Sequence, residues 1–90
     1  METKDAFEKA VADSKQLSIR PGNEILLHIY SLYKQATEGD IDETIKPAMF
    51  DFVAQAKYDA WLKIKGTDAD DAMQQYIDLI EGLKSKSIDI

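Results

Sequence analysis

The stretch YSLYKQATEGD, residues 30–40, places two tyrosines and a lysine just ahead of a glycine. Tyr30, Tyr33 and Lys34 are spaced i, i+3 and i+4, so on a helix they share one surface. Gly39 is predicted to follow the end of that helix, because glycine accepts the left-handed backbone that helix ends favour. This surface is either core packing that includes a lysine or one wall of a binding site.

The helix that contains this stretch is predicted over residues 22–38, and its apolar arc is wider than the ~100° that core packing needs. The main stripe is formed by Leu26, Ile29, Tyr30, Tyr33 and Ala36. Leu27 and Lys34 extend one flank, and Leu32 extends the other. The predicted polar face is His28, Ser31 and Gln35. One flank should therefore meet either a third neighbouring helix or a ligand.

Three further helices are predicted over residues 4–17, 52–65 and 67–84, and no segment alternates as a strand does. Pro21 ends the first helix region, Gly66 follows the third helix, and Thr67 is a suitable N-cap for the fourth. The last residues, 85–90, are expected to fray. The connection 38–51 is expected to pack its apolar side chains over the bundle, namely Ile41, Ile45, Met49 and Phe50. The pattern predicts an all-α, four-helix fold in a single domain, residues 1–90.

Lysines and a tyrosine fall on the apolar arcs of the other helices. Lys57 lies within the arc of the third helix, where a lysine either extends to water or meets an anion. On the first helix Phe7, Val11 and Lys15 form a stripe that ends in a positive charge, or else part of one wide core face. Tyr76 lies mid-arc on the fourth helix, where a hydrogen-bonded core tyrosine is the simpler reading.

The bulk composition argues against several classes of protein. A net charge of −6 argues against a general nucleic-acid binder and against docking on anionic membranes. The absence of cysteine removes thiol chemistry, and no secretory signal or membrane-spanning run is apparent, so a cytoplasmic protein is expected. No nucleophile–base pair, metal-ligand spacing or phosphate-binding glycine loop stands in the sequence. We therefore expect no catalytic residue, no metal site and no cofactor.

YSLYKQATEGD resembles the signature of the acyl-CoA-binding protein family, a Tyr-x-x-Tyr-Lys-Gln-Ala-Thr-x-Gly-Asp run. The similarity begins at FEKAV and continues through KPAMFDF, AKYDAW, LKIKG and DAMQQYIDLIEGL. It implies an up-down-down-up four-helix bundle that binds long-chain acyl-CoA thioesters, with no catalysis. It also implies an intracellular carrier that keeps acyl-CoA soluble and delivers it by transient contact with enzymes or membranes. A monomer is the default expectation.

The resemblance also implies roles for individual residues. Tyr30, Lys34 and Lys57 would hold the 3′-phosphate and adenine end of the ligand. The other implied ligand contacts are Lys15, Ser31, Leu32, Tyr33 and Tyr76. The acyl chain would run along Phe7, Val11, Leu26, Leu27 and Ala56. Arg20 is a weaker candidate.

The sequence departs from the family pattern at several positions. Tyr58 stands where tryptophan is frequent, Ala48 where glycine is frequent, and Val53 and Gln55 where basic residues are frequent. One extra residue lies between Asp40 and Pro47. The acidic segment beside the site, with Glu38, Asp40, Asp42 and Glu43, predicts weaker phosphate binding. The alternative function is a helical interaction module that binds a partner helix on the wide face of the second helix.

Overall fold

Four α-helices form the described part of the chain: α1 (Thr3–Ser14), α2 (Asn23–Glu38), α3 (Phe52–Lys63) and α4 (Ala69–Ile88). The computed structural model describes the backbone of residues 2–88 and the side chains of residues 2–85, and no strand occurs within that range. α4 lies beside both α1 and α2, and α3 lies beside α2. The predicted all-α, four-helix fold is confirmed.

The helix ends differ from the prediction by about one turn. α1 ends at Ser14 rather than at residue 17, because the N–H groups of Lys15 and Gln16 bond to carbonyls three residues back, at 3.2 and 3.0 Å. This tighter geometry closes the last turn. α3 likewise ends at Lys63 rather than at residue 65.

The start and the end of α4 were also predicted incorrectly. The Thr67 N–H donates to the Ile64 carbonyl at 3.1 Å, so Thr67 belongs to the turn that closes α3. The Ala72 N–H donates to the Asp68 carbonyl at 2.9 Å, which makes Asp68 rather than Thr67 the flanking residue of α4. The helix then continues to Ile88, so residues 85–88 are helical rather than frayed. Residues 89–90 lie outside the described residues.

Two glycines and one aspartate define the helix ends around the site. Gly39 follows α2 with φ +80°, and Gly66 follows α3 with φ +92°, values that glycine adopts at little cost. Asp51 caps α3, since its carboxylate accepts from the Ala54 N–H at 3.0 Å. Gly39 follows the end of α2 with positive φ as predicted, but its ψ of −148° lies outside the left-handed helical region that was expected.

The hydrophobic core lies between α1, α4 and the inner face of α2. Its buried members are Phe7, Ala10, Leu32, Ala36, Ala72, Tyr76 and Ile80. α3 contributes no buried residue. Because burial of one large apolar side chain stabilises a fold by about 1.5–3 kcal/mol, most of the core stabilisation comes from the other three helices.

The connection between α2 and α3 is only partly packed against the bundle. Ile41 is buried as predicted, but Ile45, Met49 and Phe50 are 72%, 83% and 80% exposed, so the prediction was wrong for these three. Two successive turns explain the difference: the Ile45 N–H bonds to the Asp42 carbonyl, and the Asp51 N–H to the Ala48 carbonyl. These local turns satisfy the backbone without bringing the side chains onto the helices.

Candidate ligand-binding site

Tyr30 lies near two lysines that come from different helices. Lys34 follows it by one turn of α2, and Lys57 of α3 places its Nζ 5.3 Å from the centroid of the Tyr30 ring. The Lys34 Nζ lies 5.3 Å from the Trp61 ring centroid. Both contacts are in the range of cation–π attraction. The structure therefore brings Tyr30, Lys34 and Lys57 together along the α2–α3 contact.

The two lysines have different electrostatic surroundings. Lys34 pairs with Glu38, one turn further along α2, and this hydrogen bond is the main reason that the pKa of Lys34 is raised. The negative charge of Glu38 also raises the pKa of Lys34, against the opposing effect of burial. Among residues 2–85, no carboxylate pairs with Lys57. Lys57 is thus the lysine that an anion could approach without displacing a carboxylate.

An apolar groove of 420 Å³ begins at this cluster. Three of the five predicted acyl-chain residues line it: Leu26, Leu27 and Ala56. Its remaining lining residues are Arg20, Asn23, Tyr30, Phe52, Val53 and Lys57. We call this cleft the α2–α3 groove. Its lining combines a mainly hydrocarbon surface with cations, which suits an amphipathic ligand with an anionic end.

A second cleft is also lined by Tyr30. It has a volume of 310 Å³ and is lined by Tyr30, Glu38, Ile41, Asp42, Ile45, Lys46, Pro47, Ala54, Tyr58 and Trp61. We call it the Trp61 cleft. Since Tyr30 lines both clefts, they are neighbours, and a ligand could occupy one with its polar end and the other with its apolar end.

The predictions missed Trp61 and Lys46 as site residues. Trp61 follows Lys57 by one helical turn, so its place on the same face of α3 could have been found from spacing. Lys46 lies in the connection, and no periodic pattern indicates where a residue of that segment will lie. Both residues border the Trp61 cleft.

The α1 candidates lie in a different place from the other acyl-chain candidates. Phe7 and Val11 border a separate cleft with Tyr33 and Met73. Lys15 is exposed just beyond the end of α1 and lines neither the α2–α3 groove nor the Trp61 cleft. The five predicted acyl-chain residues therefore do not form one continuous track in this conformation.

Three aromatic rings of the candidate set form a cluster. The Phe7 ring stacks on Tyr33 with a centroid distance of 6.1 Å and meets Tyr76 edge-on at 5.1 Å. Tyr76 is 2% exposed, and its hydroxyl donates to the Ser14 Oγ at 3.1 Å. Burial raises the pKa of Tyr76. Tyr33 presents a partly exposed ring, whereas Tyr76 is a hydrogen-bonded core residue in this conformation.

The predicted polar face of α2 was wrong for two of its three members. His28 is exposed, but Ser31 and Gln35 are buried, at 2% and 1% exposure. α2 packs against both α3 and α4, so its inner face is wider than a single helix contact. Ser31 satisfies its hydroxyl within α2 by donating to the His28 carbonyl at 3.0 Å. Leu32, another predicted ligand contact, is also fully buried.

Gln35 connects the elements that surround the Trp61 cleft. Its amide nitrogen donates to Asp40 and to the Thr67 carbonyl, both at 2.8 Å, and its amide oxygen accepts from the Trp61 indole at 3.0 Å. The Asp40 carboxylate also accepts from the Gly66 N–H at 2.8 Å. Hydrogen bonds from Gln35 and then from Gly66 lower the pKa of Asp40. This network holds the Trp61 ring in the position where Lys34 contacts it.

Known proteins are similar to this chain in sequence and in fold. The acyl CoA binding protein family profile matches residues 4–80. The acyl-CoA-binding protein homolog 1 of Caenorhabditis elegans is 44% identical over 81 residues, which cover 90% of this chain and 93% of the relative. The chain belongs to the acyl-CoA-binding protein family.

Other members and relatives agree with this assignment. The acyl-CoA-binding protein homolog of Drosophila melanogaster is 42% identical over 91% of this chain and 94% of its own length. The crystal structure of Oryza sativa acyl-CoA-binding protein 2 superposes with a TM-score of 0.91 at 32% identity, covering 98% of this chain and 97% of that one. The rat enoyl-CoA delta isomerase 2 is 46% identical over 85 residues, but the chain spans 22% of its length.

The described part of this acyl-CoA-binding protein family member contains neither a membrane-spanning helix nor a metal-binding cluster. Within residues 2–88, none of the helices has the length and apolar character needed to cross a bilayer. The described side chains also contain no group of three or more histidines, aspartates and glutamates placed to hold a metal ion.

Proposed function

We propose that this chain binds long-chain fatty acyl-CoA thioesters and carries them without chemical change. The observation that carries the proposal is the place of Tyr30, which has Lys57 over its ring, Lys34 one helical turn away, and a border on both the α2–α3 groove and the Trp61 cleft. The anionic head group would lie against Tyr30, Lys34 and Lys57. The acyl chain would lie along the groove beside Leu26, Leu27 and Ala56.

The chemistry of these residues fits the proposed ligand. Lysine and tyrosine donate charge-assisted hydrogen bonds to phosphate, and adenine stacks on aromatic rings. Each buried methylene of the tail adds about 0.8 kcal/mol to binding. Affinity should therefore rise with chain length until the groove is filled.

The remaining candidates divide by accessibility. Tyr33 and Lys15 are exposed and can contact a ligand directly. Leu32 and Tyr76 are buried, so contacts with them require neighbouring side chains to move, whereas Ser31 is buried but borders a further cleft beside Leu27 and Ala56. Phe7 and Val11 would contact only the part of a ligand that reaches the cleft beside α1.

The deciding experiment is calorimetric titration of the delipidated protein with palmitoyl-CoA, with free CoA and palmitate as controls. We expect one-to-one binding of the thioester that is tighter than binding of either fragment, because head and tail sites act together. Equal binding of free CoA and palmitoyl-CoA would contradict an acyl groove. Absence of all binding would favour the helical interaction module.

Three variants test the head-group residues. Lys34→Ala and Lys57→Ala should each weaken binding of palmitoyl-CoA without unfolding the protein. Tyr30→Phe should cost about 1–3 kcal/mol of binding free energy if its hydroxyl meets phosphate. Lys9→Ala, on the exposed side of α1 and away from both clefts, is the control for loss of one positive charge. Unchanged affinity in both lysine variants would remove them from the site.

We also propose a cytoplasmic monomer that functions without a cofactor and meets membranes or acceptor enzymes only transiently. The exposed apolar residues at the mouth of the α2–α3 groove, Phe52 and Val53, support such contact. The test is sedimentation of the ligand-loaded protein with neutral lipid vesicles. We expect acyl-CoA to transfer while the protein stays in the supernatant, and stable pelleting of the protein would contradict a transient contact.

A further inference from the structure

Glu38 occupies an unusual position for an acidic residue. It is the last residue of α2, where unsatisfied carbonyls create partial negative charge that disfavours a carboxylate. It also follows Lys34 by four residues, which is the less favourable order for a helical ion pair. Neither helix stability nor pair geometry accounts for an acid here. Its carboxylate nevertheless pairs with Lys34 and borders the Trp61 cleft.

The Lys34–Glu38 pair lies at the Trp61 cleft, because Glu38 lines that cleft and Lys34 contacts the Trp61 ring. Lys34 points its ammonium group at Glu38 and over the Trp61 ring, so the carboxylate takes the position in which a phosphate oxygen would accept from Lys34. Asp42 lines the same cleft and adds negative charge. Lys57, which lies over the Tyr30 ring, has no such acidic partner among residues 2–85.

We propose that Glu38 is an internal competitor for Lys34 and determines how strongly the site favours a ligand that carries a phosphate at this position. This inference rests on the proposed function. Binding of the phosphate requires Glu38 to leave Lys34, and the Glu38 side chain is 53% exposed, so its carboxylate can turn to water. The free energy of that separation reduces the contribution of Lys34 to binding. The site therefore distinguishes phosphorylated from dephosphorylated ligands less than two unpaired lysines would.

The experiment compares two ligands on three proteins at one fixed ionic strength. The ligands are palmitoyl-CoA and its analogue without the 3′-phosphate. The proteins are the natural chain, Glu38→Gln and the control Glu81→Gln, which removes an equally exposed acid of α4 that pairs with Lys84. We expect Glu38→Gln to bind palmitoyl-CoA about two- to fivefold more tightly, the range that partly exposed ion pairs support. Affinity for the dephosphorylated analogue should stay within the change seen for Glu81→Gln.

A second background shows whether the effect passes through Lys34. In the Lys34→Ala background, adding Glu38→Gln should not raise the affinity for palmitoyl-CoA more than adding Glu81→Gln does. The reason is that the lysine for which Glu38 and the phosphate compete is absent. An equal gain in both backgrounds would overturn the proposal and assign the effect to general repulsion. Unchanged or weaker binding by Glu38→Gln would also overturn it, since Glu38 would then be neutral or would position Lys34. If the natural chain binds neither ligand, the proposed function fails together with this inference. If the natural chain binds palmitoyl-CoA but Glu38→Gln does not bind it more tightly, only this inference is overturned.

Discussion

The two halves of the molecule differ in how they use apolar residues. In the closed half, α1, α4 and the inner face of α2 bury seven hydrophobic residues in one cluster. In the open half, the connection and α3 leave Met49, Phe50, Phe52 and Val53 exposed, and α3 has no buried residue. α2 belongs to both halves. The difference indicates that the closed half holds the fold, while the open half is available for binding.

The largest expected effect comes from truncating the closed half. Leu32 is fully buried between helices, so Leu32→Ala should lower the free energy of unfolding by about 2–5 kcal/mol through lost burial and a residual cavity. Phe50→Ala in the open half removes a larger side chain, but it should change the free energy of unfolding by less than about 0.5 kcal/mol, because Phe50 is exposed. Urea unfolding followed by circular dichroism measures both.

These two variants decide whether the halves are as different as their burial indicates. A similar loss in both would mean that Phe50 packs in solution and that the open half also holds the fold. A small loss in Leu32→Ala would mean that the core can collapse around the missing side chain. Ile80→Ala, at another fully buried position, distinguishes that outcome from an effect of α2 alone.

A smaller effect is expected where the two halves meet, at Gln35. Gln35→Leu keeps the size of the side chain but removes its bonds to Asp40, Thr67 and Trp61. The Trp61 indole keeps the Gly39 carbonyl and Asp40 keeps the Gly66 N–H, so the expected loss is that of three hydrogen bonds, one of them to a carboxylate. The free energy of unfolding should fall by about 1–3 kcal/mol. Trp61 fluorescence should report the change directly. Gln74→Leu is the control, since Gln74 is exposed and bonds only within α4.

Comparing Gln35 with the helices indicates what the sequence could predict. The helices follow from local apolar period, and spacing places Tyr30 and Lys34 on one face of α2 and Lys57 on the apolar face of α3. That the three residues share one site is implied by the family resemblance rather than by spacing. Gln35 could not be found in that way, because its partners Thr67 and Trp61 are 32 and 26 positions away. The same limit explains Ile45, Met49 and Phe50, whose exposure depends on turns rather than on period. Long-range polar contacts and loop paths need the folded chain.

Replacing glycine by alanine at two positions is expected to change the free energy of unfolding in opposite directions. Gly39 has φ +80° and ψ −148°, so Gly39→Ala at the junction of the halves should destabilise the fold by about 1–3 kcal/mol. Gly82 lies inside α4, and Gly82→Ala should stabilise by about 0.5–1 kcal/mol. An added Cβ meets no atom within 4 Å at either position, so backbone conformation alone should decide the sign. Thermal unfolding of both variants measures it, and equal signs would contradict the positive φ at Gly39.

The smallest effect expected is a change in acid sensitivity at the same junction. Hydrogen bonds from Gln35 and Gly66 hold the pKa of Asp40 below its ordinary value of 3.8, so the folded state binds this proton less readily than the unfolded state. Asp40 therefore contributes stability above pH 3.8 that is lost as the pH falls through its folded pKa. Asp40→Asn removes that contribution, and its free energy of unfolding should decline less steeply between about pH 5 and pH 2.

The pH dependence also links the closed half to the open half. Gln35 is the main cause of the lowered Asp40 pKa, so Gln35→Leu should flatten the same part of the curve even though it leaves the carboxylate in place. Urea unfolding at several pH values compares both variants with the natural chain. If Asp40→Asn flattens the curve and Gln35→Leu does not, the Gly66 N–H alone holds the carboxylate. The Gln35 amide would then stabilise the position of Trp61 rather than the Asp40 carboxylate. In that case the contact that joins the two halves would be the bond between Gln35 and the Trp61 indole.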